Sequence, residues 1–236
     1  MALNLEEMEL KDKVVVITGS SKGLGRALAY AFTEKGAKVV VNARNKNELI
    51  EVANDMGALP VVADVTEEKE VLVLADAVID KYGRIDIWIN NAGIWMPHAP
   101  IEKMDWKIAH DLIEVNLFGT IYGSKAALVQ MRKQGSGVIV NIISTSGLQG
   151  RPDSSGYCAS KYAARGFTES LRAETANSNI KVIAAYPGGM KTHLFDEQKP
   201  SDIDSYMEPE FVADKIIQNL MQENPEEELI VRRPSN

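Results

Sequence analysis

Two residues four apart, Tyr157 and Lys161, carry the side chains best suited to proton chemistry in this sequence. Residues at this spacing lie on one face of a helix, so a phenol and an ammonium would be neighbours. Ser144 lies thirteen residues before the tyrosine, directly after the apolar run 138–143, which predicts a buried strand. A phenol beside an ammonium, with a hydroxyl nearby, can move a proton to or from a carbonyl oxygen. The Tyr-x-x-x-Lys spacing alone is a weak signal, because such pairs are frequent on solvated helices.

Strand-like apolar runs alternate with helical patterns along the whole chain. Continuous apolar strands between helices are typical of a parallel sheet that is covered on both faces. Right-handed crossovers between such strands give a doubly wound α/β fold of the Rossmann type, with about seven strands and helices on both faces. Strands are predicted over 13–18, 38–42, 59–63, 85–90, 138–143, 180–186 and 228–232, and helices over 23–35, 46–56, 67–82, 106–134, 154–177 and 208–223.

The length of 236 residues suits one large α/β domain, and no linker or internal repeat divides the chain. We therefore expect a single domain over 1–236, with 1–12 as an N-terminal extension. The least regular stretch, 187–209, has the length of a substrate-binding loop. The helix over 106–134 is expected to break near Gly119 and Gly123, because glycine weakens a helix.

Composition argues against several classes of function. The formal net charge of −7 is unsuited to a general nucleic-acid surface. The single cysteine, Cys158, permits no intrachain disulfide, and His98, His110 and His193 are not at metal-ligand spacing, so no metal is expected. No apolar run approaches 18 residues and the first twelve residues do not resemble a signal peptide, which indicates a cytoplasmic protein without a membrane partner.

A glycine-rich turn joins the first predicted strand to the first predicted helix. Its sequence is Thr18-Gly19-Ser20-Ser21-Lys22-Gly23-Leu24-Gly25. Glycines let backbone amides approach a phosphate closely, and a helix N-terminus favours negative charge. The spacing is Gly-x-x-x-Gly-x-Gly, which differs from the Gly-x-Gly-x-x-Gly dinucleotide fingerprint. Many such turns are only tight turns, but the position between strand and helix favours a nucleotide-phosphate site.

The end of the second strand predicts which dinucleotide is bound. An acidic residue there would accept a hydrogen bond from a ribose 2′-hydroxyl. This chain instead has Ala43 followed by Arg44, and Lys22 lies in the neighbouring turn. A guanidinium binds phosphate as a planar fork, so the two cations favour the 2′-phosphate of NADP(H), with NAD(H) as the alternative. Two solvated surface cations are the other interpretation.

Taken together, the motifs resemble those of the short-chain dehydrogenase/reductase family in its single-domain form. Within that family the chain is most similar to 3-oxoacyl-carrier-protein reductase-like and carbonyl-reductase-like members. The resemblance runs from about residue 13 to residue 192, with every motif in the family's order. After the glycine turn the matching residues are Asp64-Val65, Asn90-Asn91-Ala92-Gly93, Asn116, Ser144, Tyr157, Lys161 and Pro187-Gly188-x-x-x-Thr192.

The resemblance implies an oxidoreductase that interconverts a ketone or aldehyde and an alcohol. Tyr157 would be the general acid in reduction and the general base in oxidation, and Lys161 would lower the pKa of its phenol and hold the cofactor ribose. Ser144 would bind the substrate oxygen, and Asn116 would hold a water that relays protons to the lysine. The residues implied to bind the cofactor are Gly19, Ser21, Lys22, Gly23, Leu24, Gly25, Arg44, Asp64, Val65, Asn91, Ala92, Gly93, Tyr157, Lys161, Pro187, Gly188 and Thr192.

Some residues leave two interpretations open. Asn90 is expected to tie adjacent strands rather than contact the cofactor, and Cys158 to be a packed thiol. Trp95, Met96 and His98 follow Asn-Asn-Ala-Gly, where they would either wall a substrate pocket or pack in the core.

The C-terminal segment 228–234 is shorter than in many members of the family and lacks their Asp-Gly-Gly. A homodimer through the two long helices that flank strand five is therefore more plausible than a tetramer. Two other functions fit the same fold: a non-catalytic NADP(H)-binding sensor or scaffold, and an isomerase or dehydratase.

Overall fold

The computed structural model describes residues 9–196 and 198–233. Most of the predicted N-terminal extension lies outside these ranges. The described residues contain one seven-stranded sheet, ordered β3-β2-β1-β4-β5-β6-β7, in which every pair of neighbours is parallel. The strands are β1 (Val14–Ile17), β2 (Lys38–Ala43), β3 (Leu59–Val62), β4 (Ile87–Asn90), β5 (Gly137–Ile142), β6 (Ile180–Pro187) and β7 (Glu228–Val231).

In the described residues, seven α-helices connect the strands and cover both faces of the sheet. Two hydrophobic clusters, one containing Leu28 and Val212 and the other Leu74 and Met131, pack these helices against the strands. The doubly wound architecture is confirmed, and most predicted element ends agree to within two residues. The helices are α1 (Gly23–Glu34), α2 (Lys46–Met56), α3 (Glu68–Tyr82), α4 (Trp106–Ile113), α5 (Gly119–Gln134), α6 (Ser155–Thr175) and α7 (Pro209–Leu220).

The strand order reverses direction between β1 and β4, because the chain crosses from β3 at one edge back to the middle of the sheet. At such a point the connections after neighbouring strands leave in opposite directions and open a crevice at the carboxyl edge. The glycine turn follows β1, and Asn91 follows β4. The topology therefore brings these two sequence motifs to the same place.

The predicted helix over 106–134 is interrupted by a π-helical turn, Glu114–Phe118. The break precedes Gly119, while Gly123 lies inside α5, so the predicted break near Gly123 is wrong. Gly123 has a packing role instead: a Cβ there would collide with Oδ1 of Asn90 and lie 2.7 Å from Nε1 of Trp88. A glycine is needed here for close helix–sheet contact rather than for chain flexibility.

A buried polar network links the centre of the sheet to the two helices beside it. Asn90 Oδ1 accepts a hydrogen bond from Trp88 Nε1 at 2.8 Å, and its Nδ2 donates to Ser124 Oγ at 2.9 Å and to Asn141 Oδ1 at 2.8 Å. Asn141 Nδ2 donates in turn to Thr168 Oγ1 on α6 at 2.9 Å. The structure thus agrees with the expectation that Asn90 ties adjacent strands together.

Replacing Asn90 by alanine should destabilise the fold strongly. The change leaves the buried Trp88 indole N–H without its partner and removes one hydrogen bond each from Ser124 and Asn141, which keep only the long bond between them and the bond from Asn141 to Thr168. A buried polar group that loses its partner costs about 1–3 kcal/mol, so we expect Asn90→Ala to lower the free energy of unfolding by about 3 kcal/mol or more. Urea unfolding measures this. Asn47→Ala, at an exposed position of α2, is the control and should change stability by less than about 0.5 kcal/mol.

None of the helices in residues 9–196 and 198–233 is both long enough and apolar enough to cross a membrane.

Candidate active site

A cleft of about 1040 Å³ opens at the carboxyl edge of the sheet, above β1, β4 and β5. Its volume is at the upper end of the range for small-molecule sites. One end lies between the glycine turn and the ends of β2 and β3, and the other lies against Ser144, Tyr157 and the segment after β6. The cleft is therefore long enough to join the predicted nucleotide-binding residues to the predicted proton-transfer residues.

Tyr157 lies in the first turn of α6 and is 8 % exposed, so its hydroxyl opens into the cleft from a buried ring. Burial raises the pKa of Tyr157 to about 12, because the phenolate is poorly solvated there, while a hydrogen bond with Ser144 opposes that rise. The ammonium of Lys161 is 5.8 Å from the ring centroid. The expected net lowering of this pKa toward working pH is wrong for this structure, because desolvation of the phenolate has the larger effect.

Lys161 lies one turn further along α6 and is 6 % exposed. Its Nζ donates one hydrogen bond, to the carbonyl oxygen of Ile142 at 3.4 Å, and the side chain lines the cleft. Burial lowers the pKa of Lys161 to about 8, since the ammonium loses its water without gaining a carboxylate. The remaining N–H donors are available to a polar ligand in the cleft.

Ser144 lies two residues after the end of β5 and directly before a short 3₁₀ turn, Thr145–Gly147. Its Oγ accepts a hydrogen bond from the backbone N–H of Ser146 at 3.1 Å, which fixes the hydroxyl toward Tyr157 and the cleft. The strand end and the helix start thus bring the serine and the tyrosine together, although thirteen residues separate them in sequence.

Asn116 lies in the π-helical turn, is 1 % exposed, and does not line the cleft. Its Nδ2 donates to the carbonyl oxygen of Ile94 and to Ser160 Oγ, both at 3.0 Å, and its Oδ1 accepts from the N–H of Ile94 at 2.9 Å. Ser160 Oγ donates to the carbonyl oxygen of Tyr157 at 2.8 Å. The amide therefore fixes the segment after β4 to the helix that carries the tyrosine.

The glycine turn has the tight backbone that a phosphate site requires. Gly19 has a φ of 64°, and a Cβ there would lie 2.7 Å from Cα of Ala92. A Cβ at Gly25 would collide with the carbonyl oxygen of Gly19 and lie 2.5 Å from Nδ2 of Asn91. The N-terminus of the twelve-residue α1 has no side-chain cap and no acidic residue in its first turn. Its amides are available to an anion, so these residues fit a nucleotide phosphate.

Thr18 begins the glycine-turn motif but is not among the residues predicted to bind the cofactor, and the structure gives it a supporting role behind the cleft. Its Oγ1 accepts hydrogen bonds from the backbone N–H groups of Asn91 and Ala92, at 3.0 and 3.1 Å. Asn91 Nδ2 donates back to the carbonyl oxygen of Thr18 at 2.9 Å. The two strand-end loops are therefore joined directly. The place of Thr18 at the end of an apolar strand and at the start of the motif is the sequence signal for this contact.

The nucleotide end of the cleft contains Arg44, whose guanidinium is mostly exposed and lies 3.5 Å from the carboxylate of Asp64. Asp64 also accepts hydrogen bonds from the N–H and hydroxyl of Thr66, at 3.0 and 2.9 Å. Burial raises the pKa of Asp64, but the Thr66 hydrogen bonds and Arg44 outweigh it and hold the pKa below its usual value. Nearby, Oδ1 of the buried Asn42 has no hydrogen-bond partner among the described residues.

The opposite end of the cleft has an aromatic wall. The Trp95 ring makes edge contacts with His98 and Phe195, at centroid distances of 5.3 and 5.1 Å, and Phe195 makes one with Tyr206 at 5.7 Å. Met96 is instead buried in a small core cluster with Leu112 and Tyr157. Of the two interpretations for this segment, pocket wall therefore describes Trp95 and His98, and core packing describes Met96.

With the exception of Asn116 and Gly25, every predicted site residue lines this one cleft. Gly25 is buried in the first turn of α1. Among residues 9–196 and 198–233, no three His, Cys, Asp or Glu side chains form a group that could hold a metal ion. The predicted residues that line the cleft are Gly19, Ser21, Lys22, Gly23, Leu24, Arg44, Asp64, Val65, Asn91, Ala92, Gly93, Ser144, Tyr157, Lys161, Pro187, Gly188 and Thr192.

Comparison with known proteins agrees with the fold. The family described as short chain dehydrogenase matches residues 13–202. An uncharacterized oxidoreductase of Staphylococcus saprophyticus is 39 % identical over 96 % of this chain and 98 % of its own length. A short-chain dehydrogenase structure from Streptomyces avermitilis superposes with a TM-score of 0.85 at 30 % identity, covering 95 % of this chain and 89 % of that one. A 3-ketoacyl-(acyl-carrier-protein) reductase from Brucella melitensis, solved with NADH, gives a TM-score of 0.86 at 29 % identity, covering 94 % and 97 %.

The parallel sheet, the glycine turn at its switch point and the cleft above them define a dinucleotide-binding α/β oxidoreductase. More specifically, the chain belongs to the short-chain dehydrogenase/reductase family. Its cofactor class is accordingly NAD(H) or NADP(H), and its reaction partner is a small molecule.

Proposed function

We propose that this protein reduces a ketone or aldehyde to an alcohol, and catalyses the reverse oxidation, with NADP(H) as its preferred cofactor. One observation carries the proposal: Ser144, Tyr157 and Lys161 line the same cleft as the glycine turn. A small carbonyl compound bound beside Ser144 and Tyr157 would have the proton-transfer residues on one side and the cofactor, held by the glycine turn, on the other. The nicotinamide ring, when bound, supplies or accepts the hydride.

Tyr157 acts as the general acid in reduction. A phenol whose pKa is about 12 stays protonated at neutral pH, so it can donate a hydrogen bond to the substrate oxygen before it donates its proton. Ser144 donates a second hydrogen bond as negative charge develops on that oxygen. One such donor typically lowers the barrier by about 3 kcal/mol.

Lys161 stabilises the phenolate that remains after the proton has left. Its ammonium is charged below about pH 8, and the N–H groups not used by Ile142 can hold the cofactor ribose. Gly93 keeps this region open, since a Cβ there would lie 3.2 Å from Oδ1 of Asn116 and 3.7 Å from Nζ of Lys161. Both N–H donors of the Asn116 amide are used and its Oδ1 accepts from Ile94, so we propose that it positions Ile94 and Ser160. The second acceptor site of Oδ1 is left for the predicted water relay.

The preference for NADP(H) is supported by the charges at the nucleotide end. Arg44 and Lys22 both line the cleft there, and Arg44 is exposed enough to turn from Asp64 toward a 2′-phosphate. No carboxylate ends β2, where a ribose 2′-hydroxyl would need an acceptor. The phosphate would compete with Asp64 for the guanidinium, which costs little because the exposed ion pair is weak.

Arg44→Ala should reverse the cofactor preference. We expect KM for NADPH to rise by about 10- to 100-fold, since a charge-assisted hydrogen bond to phosphate contributes roughly 1.5–3 kcal/mol, while KM for NADH changes less than threefold. Initial rates with both cofactors measure this. Arg132→Ala, at an exposed position of α5 outside the cleft, is the matched control. An equal loss with both cofactors would rule out 2′-phosphate recognition by Arg44.

A panel of ketones and aldehydes, followed by loss of NADPH absorbance with NADH in parallel, tests the activity itself. Net turnover with at least one carbonyl compound is expected. A sensor or scaffold would bind NADPH without turnover, and an isomerase or dehydratase would convert its substrate without net cofactor oxidation. The complete Ser144, Tyr157 and Lys161 set favours the reductase, because a binding protein needs no proton donor.

We further propose a homodimer formed through α5 and α6. Val129 on α5 and Tyr162 on α6 are 51 % and 43 % exposed, which leaves apolar surface on both helices. Burying such a surface against a second copy would be favourable. Light scattering of the purified protein measures the assembly, and a monomer at micromolar concentration would contradict it.

A further inference from the structure

The cationic residue Arg151 lies at the substrate end of the cleft, in the turn between β5 and α6. Its Nη2 donates a hydrogen bond to Oγ1 of Thr145 at 3.2 Å, and Thr145 directly follows Ser144. Both Arg151 and Thr145 line the cleft. The guanidinium is thus held close to the hydroxyls that would bind the substrate oxygen.

Arg151 also faces the aromatic wall across the cleft. Burial raises the pKa of both Tyr157 and Tyr206, and the positive charge of Arg151 opposes the rise at each tyrosine. The cation is therefore near enough to act on one hydroxyl in α6 and on another in the segment after β6. Tyr206 is seated there by Gly189, where a Cβ would come within 2.6 Å of the ring.

Within the part of the chain that the structure describes, no carboxylate oxygen lies within 4.0 Å of this guanidinium. Most other arginines have such a partner, for example Arg172 with Glu228 at 2.6 Å and Arg44 with Asp64 at 3.5 Å. Arg132 and Arg232 also lack one there, but neither lines the cleft. Among the described residues, Arg151 is consequently a cation without a carboxylate partner in the cleft.

The carboxylates that line this end of the cleft do not pair with Arg151, so a substrate could supply its anionic partner. His193 lies 3.0 Å from Asp196, so that carboxylate already has a partner. Asp111 lines the cleft from α4, beside Ile108, and is not within ion-pair distance of Arg151. An anion would be repelled by Asp111 and attracted by Arg151, which orients it toward the turn between β5 and α6.

We propose that Arg151 determines substrate specificity by binding a carboxylate on the carbonyl substrate, so that the preferred substrates are oxo acids. A guanidinium matches a carboxylate as a two-pronged donor, and the N–H groups not used by Thr145 remain available for it. The aromatic wall of Trp95, Phe195 and Tyr206 packs against the apolar body between the two ends. This inference rests on the proposed reductase function and names the substrate class for that site.

Matched acid and ester pairs test the inference, because they differ in charge but keep the same carbonyl. Suitable pairs are 4-oxopentanoate, benzoylformate and 4-acetylbenzoate, each with its methyl ester. For at least one pair we expect kcat/KM for the acid to exceed that for the ester by tenfold or more. Arg151→Gln should reduce that ratio to about one mainly through KM, Arg151→Lys should retain part of it, and Arg132→Gln should leave it unchanged.

A binding measurement separates substrate recognition from turnover. In Tyr157→Phe protein loaded with cofactor, titration with the preferred acid should change the fluorescence of Trp95, and Arg151→Gln should weaken that binding at least tenfold. If esters are reduced as well as acids, or if Arg151→Gln leaves the ratio intact, the inference is wrong while the reductase function stands. Preference for an amine-bearing ketone would also refute it. If no carbonyl compound is reduced with either cofactor, both the reductase function and this inference fail.

Discussion

Replacing Tyr157 by phenylalanine should abolish turnover, with kcat lowered by about a thousandfold, and leave the fold intact. General acid catalysis by a positioned side chain typically contributes 10²–10⁴-fold, and phenylalanine has no proton to donate. The ring is 8 % exposed, and phenylalanine fills the same buried volume, so stability should change little. Steady-state rates with a carbonyl substrate and NADPH give kcat, and fluorescence titration gives the cofactor affinity, which we expect to remain within threefold.

Tyr162→Phe is the matched control for this experiment. Tyr162 lies on the same helix five residues later and is 43 % exposed, outside the residues that line the cleft. Tyr162→Phe also removes a phenol oxygen, but kcat should not change. If Tyr157→Phe retained more than a tenth of the wild-type kcat, the assignment of Tyr157 as the acid would be wrong.

Replacing Lys161 by methionine should remove activity and raise stability at neutral pH. Burial lowers the pKa of this lysine from 10.5 to about 8, so holding its charged form in the folded protein costs about 3 kcal/mol at pH 7. Methionine has a similar length and no charge, and the only hydrogen bond lost is the long one to Ile142. We expect Tm in the absence of cofactor to rise by about 5 °C or more, and kcat to fall at least a hundredfold.

The pH dependence of stability distinguishes this explanation from better packing. Between pH 8 and about 10 the unfolded chain binds more protons at Lys161 than the folded protein, so the wild-type protein gains stability relative to Lys161→Met as the pH rises. The difference in unfolding free energy should therefore shrink across that window. Lys107→Met, at an exposed position of α4, should show neither the gain at pH 7 nor the pH dependence. A constant difference from pH 7 to pH 10 would refute the buried-charge explanation.

The sheet could be predicted from sequence because its strands are apolar on both faces and separated by helical patterns. Val14–Ile17 and Ile87–Asn90 are buried throughout, so their sequences indicate strands without ambiguity. The position of the cleft could be predicted from the same pattern, since the carboxyl ends of parallel strands meet at one edge of the sheet. Arg44 and Ser144 are distant in sequence, and both the strand-end topology and the family resemblance predicted that they share one site with Tyr157.

What could not be predicted depends on tertiary contacts. The π-helical turn before Gly119 is where the amide of Asn116 bonds to Ile94 and Ser160, and no helical periodicity reveals these partners. The pKa of Tyr157 depends on how deeply its ring is buried, which spacing does not show. The sequence predicts no role for Arg151, because that role depends on the absence of a nearby carboxylate among the described residues. The NADP(H) preference, the dimer and the cytoplasmic location stay predictions.

The network of Asn90, Ser124, Asn141 and Thr168 has a consequence for how this sequence can change during evolution. A single apolar replacement leaves at least one buried donor or acceptor without its partner, whereas replacing all of the partners together by apolar groups of the same shape can be nearly neutral. These four positions lie on two strands and two helices, yet we expect substitutions at them to covary among relatives. Variants that recombine β4 and β5 from different relatives should fold well only when both parents carry the same version of this set.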